Sequence, residues 1–302
     1  MTAIPATPAP STAPVRFMWL EITGKCQLEC VHCYAESGPE GTSGSMTTND
    51  WHRVIEEAAA MGVRMVQFIG GEPTLHPDLP DLVQHALDAG LEIELFSNLV
   101  RVTPRLWDLI EVCGVRLATS YYSTDPAEHA RITRRNTHAR TRANLAEATR
   151  RGIPVRVGII GVHADQDVQG ATADLEELGV TDIGLDHLRQ VGRGIRRDRP
   201  TTDQLCGNCG EGVAAVAPDG AVWPCVFSRW LPVGNVLQQP LAEILHGDEM
   251  RETSSRLAEE FSPREMPCVP KMCNPQCGPS CSPACRPANN CRPVGACVPG
   301  YH

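Results

Sequence analysis

The chain has 302 residues, of which 42% are hydrophobic and 21% charged, and 27 basic against 36 acidic side chains give a net charge of -9 at pH 7. This composition excludes a disordered tail and a fibrous protein. An acidic chain without interleaved basic and aromatic residues predicts no nucleic-acid partner. The first 20 residues contain no apolar segment typical of a signal peptide, and no later run reaches the ~18 apolar residues of a membrane span.

Cysteine usage is the most informative part of the composition. The sequence has 14 cysteines. We expect a cytoplasmic protein, and in that reducing compartment so many thiols indicate metal ligation or redox chemistry rather than disulfides. Three lie at positions 26 to 33, one at 113, three at 206 to 225, and seven between 268 and 297. These groups predict iron–sulfur or zinc sites at three places in the chain.

The chain order predicts an α/β fold. Residues 1–15 are rich in Pro, Ala and Thr and predict a disordered arm. From residue 16, strand-like apolar runs alternate with helical patterns bounded by capping residues and glycines. The runs cover residues 17–22, 63–69, 91–96, 115–121, 153–160 and 181–185. The helical patterns between them cover residues 48–62, 77–90, 103–113, 138–151 and 169–178.

These repeats predict a parallel sheet with helices outside it. An eight-unit barrel needs ~250 residues, whereas residues 16–188 offer about 175, enough for six units. We therefore expect a partial (β/α)6 TIM-like barrel, with its chemistry at the carboxyl ends of the strands. Residues 189–302 change to Gly, Pro, Arg and Cys, and predict a small cysteine-rich extension with one short helix near 241–246.

The first cysteine group is Cys26-x3-Cys30-x2-Cys33, directly after the first predicted strand. Four thiolates close a 4Fe-4S cluster, whereas three leave one iron open to an external amino and carboxylate group. Zinc is the alternative. His32 could supply its fourth ligand, but its spacing between the cysteines is poor for joint ligation.

The stretch Cys26-Gln-Leu-Glu-Cys30-Val-His-Cys33-Tyr34 resembles the signature of the radical S-adenosylmethionine (SAM) superfamily, including the aromatic Tyr34 after the third cysteine. The partial six-unit barrel is also the fold of that superfamily. The resemblance implies that SAM binds the open iron and is cleaved reductively to a 5'-deoxyadenosyl radical, which abstracts a substrate hydrogen. It also implies an electron donor such as ferredoxin or flavodoxin.

Two motifs after the next strands are candidate SAM contacts. Gly71 and Glu72, within Gly-Gly-Glu-Pro after the second strand, resemble the element that contacts the methionyl amino group. The alternative is an ordinary strand-to-helix turn. Ser97 and Asn98 end the third strand, where the family often places Ser or Thr before Asn beside the methionyl carboxylate or ribose. The alternative there is a local Asx turn.

The fourth strand and the segment after it offer further candidates. Of Tyr121 and Tyr122, one is expected to line the substrate pocket and the other to pack against the sheet. Arg131 could bind the SAM carboxylate bidentately, or it could belong to a solvated basic face. Arg193 lies in a Gly-Arg-Gly stretch that resembles a link in relatives with extra clusters, and is a candidate anion contact or part of a surface loop. Cys113 is expected to be a small packed side chain, with a hydrogen-atom donor as the alternative.

The second cysteine group indicates an auxiliary site. Cys206-x2-Cys209 and Cys225 are separated by turn sequences that can fold a hairpin and bring the thiols together. A zinc ribbon is one interpretation. The spacing resembles the start of the SPASM or twitch extension of radical SAM enzymes, which implies at least one auxiliary 4Fe-4S cluster, with Cys268 or Cys273 as its completing ligand.

The last cysteines repeat every fourth residue from Cys273 to Cys285, each followed two residues later by a proline. Proline at that period excludes a helix, because it removes donors and clashes with the preceding turn. This segment could supply ligands for the auxiliary clusters, or it could be a metal-scavenging or partly disordered tail.

The resemblance to SPASM proteins implies modification of a ribosomally made peptide, by cross-linking or epimerisation. The alternative is dehydrogenation or epimerisation of an aminocyclitol or sugar, and a third hypothesis is a non-catalytic iron–sulfur electron carrier. Since the arm before the first strand is short, a leader peptide would need a separate binding protein.

Overall fold

Six parallel strands form the centre of the fold in this computed structural model, which describes residues 14–196 and 199–261. Every residue of the first strand is buried, as expected for a strand covered on both faces. The strands are β1 (Phe17–Thr23), β2 (Met65–Gly70), β3 (Glu92–Phe96), β4 (Arg116–Tyr121), β5 (Val155–Gly161) and β6 (Asp182–His187).

Helices connect successive strands and cover the outer face of the sheet. Several begin at a side-chain cap; Thr47 and Asp50, for example, form a reciprocal capping box at the start of the first helix. That helix buries Trp51 and Val54 on one face, at the spacing of a helical stripe. The helices are α1 (Thr48–Ala60), α2 (Leu79–Asp88), α3 (Pro104–Val112), α4 (Pro126–Thr133), α5 (His138–Arg150) and α6 (Val168–Glu177).

The cysteine-rich extension continues the same sheet. Its strands are β7 (Val213–Val216), β8 (Ala221–Trp223) and β9 (Gly234–Asn235), followed by α7 (Leu241–Leu245) and α8 (Asp248–Phe261). β7 pairs in parallel with β1, β8 pairs antiparallel with β7, and β9 pairs antiparallel with β8. The strand order is therefore β6-β5-β4-β3-β2-β1-β7-β8-β9.

The prediction of a partial (β/α)6 barrel is confirmed. Two helices were not predicted. α4 follows β4, and α8 contradicts the expectation that the extension holds only one short helix. Within the described ranges, none of the helices combines the length and the apolar character that crossing a bilayer requires.

The inner face of the sheet buries charged side chains. Glu94 on β3 and Arg156 on β5 are 2% and 6% exposed, and Arg156 Nη2 donates to Glu94 Oε1 at 2.7 Å. Gln67 on β2 donates to the same carboxylate oxygen. This buried network crosses the sheet between β2, β3 and β5, so its geometry depends on correct strand order and register.

We predict that Arg156→Ala lowers the free energy of unfolding by ~3–5 kcal/mol, because it leaves the buried Glu94 carboxylate without its cation. Arg64→Ala is the matched control, since both side chains of its 3.1 Å pair with Glu92 are more than a third exposed and such a pair contributes at most ~1 kcal/mol. Urea titration followed by circular dichroism measures both variants. Equal losses would contradict this interpretation.

Candidate SAM and iron–sulfur site

The first three cysteines lie on an irregular segment at the carboxyl end of the sheet, which we call the cysteine loop (residues 26–38). Cys26 is buried and hydrogen-bonded through its sulfur, whereas Cys30 and Cys33 are partly buried, and all three are free thiols that line one pocket. Burial raises the pKa of the Cys26 thiol to about 12. Among the described residues, no group of three Cys, His, Asp or Glu side chains lies close enough together to hold a single metal ion.

The pocket beside the cysteine loop has about 1000 Å³ of empty space, part of it open to solvent. Its walls come from the cysteine loop, the carboxyl ends of β2 to β6, and the extension. Among the lining residues are Tyr34, Gly71, Phe96, Asn98, Tyr122, His129, Asp186, Arg189, Arg193 and Phe227.

Four lining side chains carry a buried polar atom without a hydrogen-bond partner among the described residues. These atoms are His32 Nδ1, Tyr34 Oη, Ser37 Oγ and His129 Nδ1. A buried polar group costs ~1–3 kcal/mol when it is unsatisfied, so these atoms favour a polar ligand in the pocket. The donor set and the three thiols therefore fit a 4Fe-4S cluster with bound SAM.

Glu72 lies beneath the pocket rather than on its wall. Its carboxylate is fully buried and accepts hydrogen bonds from the Thr74 main-chain N–H and hydroxyl, from Ser97 Oγ at 2.8 Å and from the Asn98 main-chain N–H at 2.8 Å. Burial raises the pKa of this carboxyl, and the same hydrogen bonds oppose that rise. The structure therefore unites Glu72, Ser97 and Asn98, with Glu72 holding the turn after β3.

The Asn98 side chain reaches the cysteine loop directly. Its Nδ2 donates to Cys26 Sγ at 3.6 Å and to Gln27 Oε1 at 3.3 Å, and Gln27 Nε2 donates back to Asn98 Oδ1 at 3.0 Å. Asn98 thus links the end of β3 to the first cysteine. An N–H donor to a ligating sulfur is one of the groups that tune a cluster.

Gly71 lines the pocket at a point of close backbone approach. A Cβ at this position would lie 2.3 Å from the Lys25 carbonyl oxygen, and the Gly71 N–H donates to the Thr23 carbonyl at 2.6 Å. No other residue type fits here without displacing the chain before Cys26. The motif after β2 therefore packs against the start of the cysteine loop.

The two tyrosines at the end of β4 separate as expected. Tyr122 lines the pocket, whereas the Tyr121 hydroxyl donates to Asp174 at 2.7 Å on the helical side and lies 2.8 Å from His138 Nε2. Tyr122 contacts the ring of His129 edge to face. Burial lowers the pKa of His129 to about 4, so its imidazole is neutral near pH 7.

Arg131 lies away from the pocket. Its side chain is 65% exposed and pairs with Glu128 at 3.9 Å, and it does not contribute to the pocket wall. His129 on the same helix does line the wall. Residues two apart on a helix point in different directions, which places Arg131 on the solvent face of α4.

The pocket also contains residues that the sequence analysis did not single out. Asp186 lies next to the last residue of β6, and its carboxylate pairs with Arg189 Nη2 at 3.1 Å, both side chains being almost fully buried. Phe227 comes from the extension, and its ring packs edge to face on Tyr34 at 5.0 Å. The position of Asp186 at a strand's carboxyl end was a usable signal, whereas nothing local predicts Phe227 at this wall.

Cys206, Cys209 and Cys225 form a second group of thiols. Cys209 and Cys225 are each 3% exposed, and hydrogen bonding to the Cys206 and Cys225 thiols raises the pKa of the Cys209 thiol well above its usual range. The Phe227 main-chain N–H donates to Cys225 Sγ at 3.3 Å. The predicted hairpin is β7–β8, and Cys225 follows its second strand. Cys268 and Cys273 lie outside the described residues.

Cys113 lies at the C-cap of α3 and packs, partly buried, against the apolar core on the helical side. It does not line the pocket. Its position agrees with a packing role.

Comparison with known proteins decides the family. The model of the radical SAM superfamily matches residues 20–175, which are half of the chain, and the model of an iron–sulfur cluster-binding domain, SPASM, matches residues 206–282. The chain belongs to the radical SAM superfamily. It is therefore a radical SAM enzyme with 4Fe-4S and SAM as cofactors and auxiliary iron–sulfur binding in its SPASM domain.

Named relatives cover most of this radical SAM chain. The PqqA peptide cyclase of Xanthomonas campestris pv. campestris (strain 8004) is 30% identical in an alignment of 265 positions that covers 78% of this chain and 70% of the relative. The PqqA peptide cyclase of Streptomyces rochei is 28% identical over 285 residues, covering 80% and 77% of the two chains.

Solved structures share the fold at low identity. Streptococcus suis SuiB bound to S-adenosylmethionine has a TM-score of 0.67 at 13% identity, covering 80% of this chain and 68% of that one. Native anSMEcpe with bound AdoMet has a TM-score of 0.61 at 12% identity, covering 78% and 82%.

We predict that Glu72→Gln lowers kcat/KM for SAM cleavage by about tenfold or more, since an amide cannot accept all four hydrogen bonds and a charged acceptor is lost. Formation of 5'-deoxyadenosine with dithionite measures this. Thr74→Val removes only the hydroxyl that donates to the Glu72 carboxylate, and we expect a smaller loss of kcat/KM. Unchanged kinetics in Glu72→Gln would contradict the assignment.

We predict that Cys209→Ala loses about four irons per chain from the auxiliary site while the SAM-binding cluster remains. A truncation before Cys268 should cause the same loss if Cys268 or Cys273 completes that site. Iron analysis of reconstituted protein measures both. Cys113→Ala is the control and should keep the wild-type iron content. A full iron content in Cys209→Ala would refute the auxiliary assignment.

Proposed function

We propose that this radical SAM enzyme forms a covalent cross-link within a ribosomally made peptide. The observation that carries the proposal is the 30% identity with a PqqA peptide cyclase over 78% of this chain and 70% of that protein. The name of that relative states that it cyclises a peptide. The match is long enough to include the SAM-binding core together with SPASM residues, so it supports a shared reaction class rather than a shared core alone.

We assign the three thiolates of Cys26, Cys30 and Cys33 to the SAM-binding cluster. This assignment is supported by their common pocket and by the unpartnered polar atoms beside them. When bound, the cluster and SAM supply a 5'-deoxyadenosyl radical that abstracts a hydrogen atom from the substrate.

The other SAM-site assignments follow the contacts. Tyr34, Gly71 and Asn98 lie on the pocket wall and are candidate direct contacts to SAM. Ser97 and Glu72 are buried behind that wall, and they act by holding Asn98 in place. Arg131 points to solvent, so the pocket geometry does not support a contact from it.

The auxiliary cluster is assigned to Cys206, Cys209 and Cys225, with Cys268 or Cys273 as further ligands. The support is the interaction of the Cys209 thiol with the Cys206 and Cys225 thiols, together with the burial of Cys209 and Cys225. The extension's Phe227 links this group to the SAM pocket, because its N–H bonds Cys225 and its ring contacts Tyr34.

The pocket walls are suited to shielding a reactive radical. Phe96, Tyr122 and Phe227 present aromatic surface, and the buried pair of Asp186 and Arg189 provides a polar anchor. Apolar walls exclude water and prevent side reactions, while a few polar groups fix orientation. We propose that the substrate peptide enters this pocket from its solvent-open side.

Two partners complete the proposal. Reductive cleavage of SAM consumes one electron, and we propose ferredoxin or flavodoxin as its source. We also propose a separate protein that binds the leader part of the peptide.

The test is the product of the reconstituted enzyme with SAM, a reductant and a peptide encoded beside its gene. Each cross-link removes two hydrogen atoms: one is abstracted as an atom, and the other leaves as a proton whose electron passes to a one-electron acceptor. We expect a peptide lighter by two hydrogens, with fragment ions that locate the new bond, and 5'-deoxyadenosine alongside it.

The controls separate the alternatives. Cys30→Ala should form neither product. Incorporation of solvent deuterium into a peptide of otherwise unchanged mass would show epimerisation instead. Oxidation of an aminocyclitol probe without any reaction of the peptide would overturn the peptide assignment.

A further inference from the structure

The cysteine loop has little secondary structure of its own. Between residues 26 and 38 it contains turns, and its one ladder contact is the isolated bridge between Lys25 and Gly38. Buried main-chain carbonyls need partners, so the shape of this loop depends on groups from elsewhere in the fold. On one side, the Glu29 and Val31 N–H groups donate to carbonyls at the end of α4.

Arg193 provides a second set of partners for the loop. Its main-chain N–H donates to the Cys33 carbonyl at 3.0 Å, Nε donates to the Cys30 carbonyl at 2.9 Å, and Nη2 donates to the Ser37 carbonyl at 2.6 Å. One residue therefore holds three carbonyls of the segment that carries the cysteines. The planar guanidinium fork can span two acceptors at once.

The glycines on either side make this approach possible. Gly192 has φ +55, and a Cβ there would lie 2.4 Å from the Tyr34 carbonyl oxygen and 2.6 Å from that of Cys33. A Cβ on Gly194 would lie 2.2 Å from the Arg189 carbonyl oxygen. A side chain at position 192 would push the turn off the cysteine loop, and one at position 194 would distort the turn itself, so the Gly-Arg-Gly sequence is matched to this contact.

The arginine also places a fixed positive charge beside a cysteine. Its guanidinium bonds the carbonyl of Cys30 itself, and Arg193 lines the same pocket as the three thiols. Net charge and hydrogen bonding around the cysteines set the reduction potential of an iron–sulfur cluster. A nearby cation favours the reduced, more negative state because of its electrostatic attraction.

We propose that Arg193 is a positioning residue of the SAM-binding cluster. It holds the Cys30 and Cys33 main chain in the cluster-binding geometry and raises the cluster's reduction potential through its charge. The proposal uses the assignment of Cys26, Cys30 and Cys33 as ligands, and it does not depend on which substrate the enzyme modifies.

The test compares Arg193→Gln and Arg193→Lys with Arg196→Gln in the Cys209→Ala background, where auxiliary irons do not overlap the signal. Arg196 is the matched control, since its exposed side chain bonds only the carbonyls of Arg193 and Ile195. The readouts are the midpoint potential from a titration followed by electron paramagnetic resonance, amide exchange of residues 26–38, and kcat and KM for SAM cleavage.

We expect Arg193→Gln to lower the midpoint potential, to speed amide exchange in the cysteine loop and to slow SAM cleavage about tenfold or more. Arg193→Lys keeps the charge without the fork, so the potential should stay nearer the wild-type value while exchange in the loop still rises. Arg196→Gln should match the parent in amide exchange and change the potential less than Arg193→Gln, because the charge of Arg196 acts on His32 of the loop but its side chain bonds no carbonyl of the loop.

A wild-type potential and exchange rate in Arg193→Gln would overturn the proposal, as would an equal change in Arg196→Gln. If Arg193→Gln does not fold, Arg193→Lys decides the positioning role. Faster amide exchange in its cysteine loop would support that role, and a wild-type exchange rate would overturn it. A parent protein without a cluster at the first three cysteines would refute the ligand assignment on which it rests. Failure of the peptide reaction alone would leave these results intact and would refute only the proposed substrate.

Discussion

The irregular main chain that carries Cys26, Cys30 and Cys33 is the element on which the site depends. A segment without its own ladder keeps its shape only if other parts of the fold satisfy its polar groups. The structure supplies them from three directions: the amide of Asn98 at the end of β3, the end of α4, and Arg193 after β6. The barrel strands therefore serve the cysteine loop chiefly by fixing where these partners lie.

The same dependence explains why the SPASM extension is joined so closely to the barrel. β7 pairs with β1 along the strand that leads into the cysteine loop. Arg229 of the extension forms a salt bridge at 2.5 Å with the buried Glu21 of β1, and its guanidinium stacks over Trp223 at 4.4 Å. Because the Glu21 carboxylate is buried, losing this partly buried cation would be destabilising, so the pair favours one fixed arrangement of the two regions. The two groups of thiols are consequently parts of one continuous structure.

Much of the fold was predictable because apolar periodicity reports burial directly. The six parallel strands and five of the helices around them were found within a few residues of their observed bounds. The missed α4 is short and begins at an Asp-Pro pair, which is equally typical of a turn. The missed α8 is strongly charged and has a narrow buried face. The pairing of β7 with β1 depends on contacts between residues about 200 positions apart in the chain, which local patterns do not encode.

The sequence by itself determined the family, the cofactor class and the approximate places of the site, because the spacing of cysteines and the glycines of Gly-Gly-Glu are local properties of the chain. Only the tertiary structure decided what each side chain does. Arg131 and Arg193 were both candidate anion contacts, yet one lies on the solvent face of α4 and the other holds the cysteine loop. Glu72 similarly lies behind the pocket wall rather than in it. Such outcomes depend on the direction in which a side chain points from its helix or turn, and that direction is set by packing against distant residues rather than by sequence spacing.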